Sequence, residues 1–175
     1  MLKLIVIAVV VIIAAILIYA ATKPDTFRVE RTATINSPPE KVFPHISDLR
    51  NWAAWSTWEK MDPNMKKTYS AISSGKGATY EWEGNSKVGK GRMTIADSVA
   101  PSKVVIGLDF FMPFAVHNTA EISLQAQGGG TLVSWSMYGP SPYISKLIGV
   151  FISMDKMIGK DFEDSLANLK LVAEK

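Results

Sequence analysis

The sequence predicts an α+β protein with a single transmembrane helix, an antiparallel sheet of about seven strands and a long C-terminal helix. Three observations lead to this fold class. An uncharged apolar run occupies residues 4–21. A first strand and six further strand-like segments follow, and turn residues separate the later ones. In the last part of the chain, apolar residues recur every three or four positions, as on one face of a helix.

The composition allows one globular domain and excludes several kinds of site. The chain has 175 residues, and about 150 remain after the apolar run, a common size for one domain. The net charge is +3 and charges of both signs are mixed along the chain, so a basic surface for nucleic acid is not indicated. Cysteine is absent, which excludes disulfides, thiolate metal sites and a cysteine nucleophile.

The N-terminal segment, residues 1–23, is predicted to be a membrane anchor. Leu4 to Ala21 contains no charge, Gly or Pro, and as a helix it would span about 27 Å, enough for the hydrocarbon core. Tyr19 and the flanking lysines suit the two interfaces. A cleaved signal peptide is the alternative, but its apolar region is usually only about 7–15 residues long. Because Lys and Arg lie on both sides of the run, the orientation is left open.

The globular domain, residues 24–175, is expected to begin with a strand and a short helix. Apolar and polar residues alternate from Phe27 to Ile35, which predicts a half-buried strand. Asn36 or Ser37 is expected to cap a helix that has prolines in its first turn and ends near Asp48.

Strand patterns continue from Lys66 until the period changes. The predicted strands, at spacings typical of an antiparallel meander, are Lys66 to Ile72, Ala78 to Glu83, Gly91 to Val99, Lys103 to Phe110, Val116 to Ala126 and Thr131 to Tyr138. One helix of about 45 Å is predicted from Pro142 to Ala173, with Phe151 and Phe162 on its apolar face. Gly149 and Gly159 are expected either to weaken this helix or to let it lie close to the sheet.

Several stretches also resemble a known family. They are Val29 to Pro38 with Glu40 to Phe43, Asn51 to Trp58, Met61 to Met65, and Tyr80 to Asn85. Together with the order of the elements, these stretches resemble the helix-grip fold of the START/Bet v 1-like superfamily, also called SRPBCC. The resemblance covers residues 27–173 and is to the bacterial polyketide cyclase/dehydrase and lipid transport members of this superfamily. The resemblance implies a curved sheet wrapped around the long helix, with a ligand cavity between them. The family includes cyclases, lipid carriers and chaperone activators and has no universal catalytic motif.

Methionine and aromatic residues on several elements are the candidates for lining such a cavity. The candidate ligand-binding residues are Trp55, Trp58, Tyr80, Trp82, Met93, Phe110, Phe114, Trp135, Met137, Met154 and Met157. A lining of this kind adapts to irregular apolar ligands. A packed core uses the same residue types, and the tryptophans between Asn51 and Trp58 could equally close the end of the sheet as core.

Candidates for catalysis are few. His45 and His117 are the only histidines, and they lie on different elements without the spacing of a metal site. His117 and Glu121 are the weak catalytic candidates. The sequence shows no nucleophile elbow, paired carboxylate motif or dinucleotide fingerprint, so neither a metal nor a cofactor is expected.

These patterns favour a membrane-anchored domain that binds a small hydrophobic or lipid-like molecule between its sheet and its C-terminal helix. A polyketide cyclase/dehydratase-like enzyme is one alternative, and it would need a polar group inside the cavity. A protein-interaction domain with a filled core is the other. The expected partners are a hydrophobic ligand and the membrane, and no nucleic acid. The oligomeric state is not indicated.

Overall fold

The computed structural model describes residues 1–112 and 115–175. The first helix, α1 (Leu2–Ala21), lies largely outside the globular domain, and Ala20 is its buried residue. This helix is long and apolar enough to cross a membrane.

The remainder of the chain is built on one seven-stranded antiparallel sheet. Its strands are β1 (Thr26–Ile35), β2 (Lys66–Tyr69), β3 (Thr79–Glu83), β4 (Lys90–Val99), β5 (Lys103–Met112), β6 (Val116–Gln127) and β7 (Gly130–Pro140). Their order in the sheet is β1-β7-β6-β5-β4-β3-β2. The meander therefore runs without interruption from β2 to β7, and β1 pairs with β7 so that Val29 lies opposite Met137. Two register shifts in β4 accompany the curvature of the sheet.

Four helices and a 3₁₀ turn pack on or beside this sheet. They are α2 (Pro39–Ser47), the 3₁₀ turn (Asn51–Ala54), α3 (Trp58–Met61), α4 (Tyr143–Ile148) and α5 (Met154–Ala173). The predicted α+β fold, with a curved sheet around a C-terminal helix, is confirmed. The expected cap of α2 is wrong, because Pro38 occupies the N-cap position and no side chain caps this end. Ser37 does not cap the helix, and its backbone carbonyl accepts a hydrogen bond from Thr131 Oγ1 at 2.7 Å.

The single helix predicted from Pro142 to Ala173 is wrong in its first third. Helix α4 ends at the cap residue Gly149, and α5 begins after Ser153, whose side chain accepts a hydrogen bond from the Lys156 N–H at 3.3 Å. Glycine is about 1 kcal/mol less favourable than alanine inside a helix, and a serine N-cap contributes a similar amount to a new start. Phe151 lies in the connection and is 70% exposed, so it does not belong to the buried face on which it was predicted.

Helix α5 supplies the apolar face that covers the sheet. Phe162, Leu166 and Leu169 are fully or almost fully buried. The ring of Phe162 stacks on Trp135 of β7, with centroids 4.2 Å apart. The core therefore lies between α5 and the concave face of the sheet.

An arginine on β1 forms ion pairs with α5. The Arg31 guanidinium donates to Asp155 Oδ1 at 2.8 Å and to Glu163 Oε1 at 2.7 Å, one helical turn on each side of Gly159. A methyl group at Gly159 would overlap this guanidinium. The hydrogen bond from Arg31 holds the pKa of Asp155 below its usual value. Gly159 is thus a point of close approach between the helix and the sheet.

Candidate ligand-binding cavity

A cavity of about 630 Å³ lies between the concave face of the sheet and the C-terminal helices. This volume falls in the usual range for small-molecule sites, about 300–1,000 Å³. Its wall is predominantly apolar. The apolar residues that line it deep in the domain are Trp52, Trp58, Met65, Tyr80, Trp82, Met93, Ile106, Leu108, Phe110, Ala120, Trp135 and Met137.

Most of the residues proposed from the sequence as ligand-binding are brought to this cavity. Those that line it are Trp58, Tyr80, Trp82, Met93, Phe110, Trp135, Met137 and Met154. They come from four strands, from α3 and from the start of α5. For the six strand residues, alternation along the strand places the side chain on the concave face, which is why a period of two could predict them.

Two proposed residues lie elsewhere, and a third is not described. Trp55 is fully buried in the core behind the wall, where its Nε1 donates to the His45 carbonyl at 3.0 Å. Met157 is 52% exposed, because it lies about 100° around α5 from the wall residue Ile158. Phe114 lies outside the described residues.

Packed aromatic rings form the deep end of the cavity. The Trp135 ring is in edge contact with Trp52 and Trp58, both at 5.8 Å between centroids. Trp52 is anchored in turn by its Nε1, which donates to the Ile46 carbonyl at 3.1 Å. Such contacts fix these side chains, so this end of the cavity has a defined shape.

A glycine makes room for one of the wall tryptophans. A Cβ at Gly91 of β4 would lie 2.5 Å from Cζ2 of Trp82 on the neighbouring strand. Trp82 Nε1 donates to the Val88 carbonyl at 2.9 Å, which holds the indole against Gly91. The polar edge of Trp82 is therefore satisfied, and its ring is left to line the cavity.

The wall contains a hydrogen-bonded acid and phenol, of which the sequence analysis proposed the phenol, Tyr80, but missed the acid, Glu59. Tyr80 Oη donates to Glu59 Oε1 at 2.7 Å, and the other carboxylate oxygen of Glu59 is paired with Lys67. Burial raises the pKa of the Tyr80 hydroxyl far above its usual value, and the hydrogen bond to Glu59 adds to this effect. Glu59 lies on the short α3, whose position depends on tertiary packing, so no sequence period identified it.

Two polar atoms in the wall have no hydrogen-bond partner among the described residues. They are Oδ1 of Asn118 on β6 and Nε1 of Trp135 on β7. Both side chains are more than nine-tenths buried and both line the cavity. Neither atom has appreciable accessible surface, so in this conformation neither is presented to a molecule inside the cavity.

The residues suggested as weak catalytic candidates do not reach the cavity. Asn118 and Ala120 of β6 face inward, so His117 and Glu121 point to the opposite, convex face. His117 Nδ1 lies 2.7 Å from Asp109 Oδ1 in an exposed pair. The structure therefore places neither His117 nor Glu121 in the wall of this cavity. Within residues 1–112 and 115–175, no group of three or more His, Asp or Glu side chains could hold a metal ion.

The lining residues that are also exposed mark the opening of the cavity. On one side they belong to the end of β7 and to α4, where Pro140, Ile144 and Ile148 are exposed. Met112 at the end of β5 lies on another side. The cavity therefore opens at the end of the domain where α4 packs.

Together, the curved sheet, the C-terminal helix and the enclosed cavity define a helix-grip domain of the Bet v 1-like class. Residues 26–174 match the family model described as polyketide cyclase / dehydrase and lipid transport. The chain belongs to this family. None of the curated proteins compared with the chain matches it.

Solved structures support the fold. A protein from Chromobacterium violaceum has a TM-score of 0.59 and 16% identity, with 87% of this chain and 99% of that chain covered. Ara h 8.0201 has a TM-score of 0.57 and 12% identity, with 85% and 97% covered. BexL, a di-domain ARO/CYC from the BE-7585A biosynthetic pathway, has a TM-score of 0.61 and 16% identity, with 90% and 53% covered. At these identities the likeness concerns the fold alone.

Proposed function

We propose that this protein is a membrane-anchored binding domain for a small hydrophobic or lipid-like molecule, held between the sheet and the C-terminal helix. Residues 1–23 would serve as the anchor and residues 24–175 as the binding domain. The observation that carries the proposal is the cavity of about 630 Å³ with its mainly apolar wall. A filled core would have supported the protein-interaction alternative, and a cavity of this size argues against it.

The wall also supports a ligand that is not purely hydrocarbon. An apolar surface with a few fixed polar groups is the usual design of a small-molecule site. The polar side chains in this wall include the hydrogen-bonded pair of Tyr80 and Glu59, together with Ser56 and Ser145. A molecule with an apolar body and at least one hydroxyl, carbonyl or carboxyl group would satisfy this wall better than an alkane.

Enlarging wall residues separates an open cavity from a packed core. Met93→Trp and Met137→Trp should leave the free energy of unfolding nearly unchanged and abolish binding of an environment-sensitive hydrophobic dye, because both side chains border the cavity. Ile122→Trp is the matched control. Ile122 is fully buried and does not line the cavity. Enlarging it should overpack the core and lower the free energy of unfolding by about 1–3 kcal/mol. Urea unfolding and dye fluorescence measure the two effects.

Losses above about 1 kcal/mol in both methionine variants, with no dye or lipid bound by the parent protein, would refute the binding function. Native mass spectrometry of the full chain extracted from its own membrane is an independent test, since a co-purifying molecule would identify the ligand directly.

The hydrogen-bonded pair of Glu59 and Tyr80 favours a second candidate, a cyclase or dehydratase-like enzyme. Both residues line the cavity, and a carboxylate next to a phenol is a combination suited to proton transfer. A dehydratase should carry its product, whereas Glu59→Gln should carry a precursor that is heavier by one water. A cyclase that loses no water gives a product of unchanged mass, which chromatography of the released ligand distinguishes from its precursor. Bound molecules identical in both mass and retention would favour simple binding.

A further inference from the structure

Helix α4 is in direct contact with the last turns of the N-terminal helix. Tyr143 Oη donates to the Leu17 carbonyl at 3.0 Å. The buried Lys146 reaches Asp25, just after α1, with 2.5 Å between Nζ and Oδ1. These two contacts fix the position of α4 relative to α1.

The contact with Leu17 also fixes the level of α4 along the apolar helix. Leu17 precedes the last residue of α1, Ala21, by four positions, which is about 6 Å along the helix axis. If α1 spans a bilayer, its last turn lies where hydrocarbon gives way to headgroups. Helix α4 then lies at this boundary rather than in bulk water.

The surface of α4 and of the following connection has the chemistry of that boundary. Four large apolar side chains are between 46% and 70% exposed, namely Ile144, Ile148, Phe151 and Ile152. No acidic residue occurs from Tyr143 to Ser153, and the one basic residue, Lys146, is buried and paired. Exposed apolar clusters of this kind are unfavourable in water and typical of surfaces that enter a membrane interface.

The same helix forms part of the cavity wall. Ile144, Ser145 and Ile148 line the cavity at its opening, and Met112 lines it from β5. One side of α4 therefore borders the cavity while neighbouring side chains are exposed at the level of the apolar helix.

We propose that residues 143–152 lie in the interface of the lipid bilayer, so that the cavity opens toward the membrane and ligand passes between lipid and cavity without crossing water. The occupant of this apolar surface is thus the acyl-chain and headgroup zone next to α1. The passage of ligand rests on both parts of the proposed function, ligand binding and the anchor, whereas contact with the bilayer rests on the anchor alone.

Contact with the bilayer is tested by labelling the full chain in vesicles. Because the chain has no cysteine, Phe151→Cys and Ile152→Cys can each carry one polarity-sensitive fluorophore. Leu171→Cys is the matched control, since Leu171 is apolar and 65% exposed but lies about 25 Å along α5 from Met154. In phosphatidylcholine/phosphatidylglycerol vesicles, labels at 151 and 152 should be blue-shifted and quenched several-fold more by spin-labelled lipid than the label at 171.

Equal quenching at all three positions would overturn the proposal. A blue shift that depends on the protein-to-lipid ratio but is not accompanied by quenching from spin-labelled lipid would also overturn the proposal. It would show that a second copy of the chain covers the surface.

Ligand passage is tested with a pyrene-labelled fatty acid. A variant with Phe151→Ser and Ile152→Ser keeps the anchor and the cavity wall. It should bind probe added from water with unchanged affinity but take up probe from vesicles about tenfold more slowly. Unchanged uptake would overturn direct passage. If the parent protein binds no such probe, the proposed function and the passage both fail, while the quenching result still decides whether residues 143–152 contact the bilayer.

Discussion

Asn118 is a polar residue in a wall that is otherwise mostly apolar. It lies opposite Leu108 of β5 and next to Gly139 of β7, where any side chain would overlap its amide. Its Oδ1 has no partner among the described residues, although the side chain is buried. An unpaired buried amide oxygen reduces stability, and it could bond to a ligand only if the side chain turned toward the cavity, so a role in binding has to be distinguished from a role in folding.

The variant Asn118→Leu should separate these two roles. It should leave the free energy of unfolding unchanged or raise it by up to about 1 kcal/mol, because leucine has a similar branched shape, its extra volume can be taken up by the adjacent cavity, and the unpaired group is removed. It should weaken binding of a pyrene-labelled fatty alcohol, whose hydroxyl can donate to Oδ1, by about fivefold, the contribution of one hydrogen bond, and leave binding of unsubstituted pyrene unchanged. Urea unfolding and fluorescence titration measure both. Thr119→Val, on the convex face of the same strand, should change neither affinity.

An equal loss of affinity for both probes would mean that Asn118 acts through the shape of the cavity and donates or accepts no hydrogen bond to the ligand.

Single-residue positions could be predicted wherever a strand determines them. Alternation alone places Tyr80 with Trp82 and Trp135 with Met137 on the concave face. The same alternation places Asn118 on the concave face, but the residue selected from the sequence was its neighbour His117, which lies on the convex face. Glu59 could not be found this way, since its four-residue helix is oriented by packing and not by a period of its own.

At the level of elements, α4 and α5 have different environments although the sequence reads as one amphipathic helix. Phe162 of α5 is fully buried against Trp135, whereas Phe151, in the connection, is mostly exposed. The same substitution at the two positions therefore has different consequences.

Phe162→Ala should lower the free energy of unfolding by about 3–5 kcal/mol, as is typical for a large side chain removed from a core. Phe151→Ala should change it by less than about 0.5 kcal/mol, because an exposed side chain loses little packing. Denaturant unfolding of the two variants in the same detergent provides the comparison. Similar losses in both would show that residues 149–153 continue the buried helix and that the break does not exist in solution.

The break itself had a local signal that the apolar period concealed. Ser153 is a capping residue, and Asp155 places an acidic side chain in the first turn. This combination commonly marks the start of a helix. Spacings of three and four continue across the break because Ile144, Ile148 and Phe151 are also apolar. These residues are exposed, on α4 or in the connection, and do not belong to the buried face of α5. A hydrophobic period reports apolar residues without reporting what covers them.

For the whole molecule, the arrangement divides the chain into an apolar helix and a domain that should fold without it. A truncated chain beginning at Lys23 should be folded and recoverable from the aqueous fraction, whereas the full chain should stay with membranes after high-salt or carbonate washing. Val11→Asp with Ile12→Asp is the control in the full chain, since each charge near the centre of a spanning helix costs about 2.5–3.5 kcal/mol. Release of the unmodified full chain by carbonate, or a mature N-terminus near Thr22, would contradict an uncleaved anchor.

The aromatic cluster at the deep end of the cavity gives the protein an intrinsic optical reporter. The chain has five tryptophans, and Trp52, Trp55, Trp58 and Trp135 form a single cluster in which the centroids of Trp52 and Trp55 are 4.6 Å apart. Indoles at this separation couple electronically, so the cluster should produce an exciton signature in circular dichroism. Because three of its rings border the cavity, a molecule that enters will perturb this signature and the emission together. Trp82→Phe removes the remaining indole and leaves a chain whose tryptophan emission, excited beyond the tyrosine band, reports occupancy of one place without any added dye.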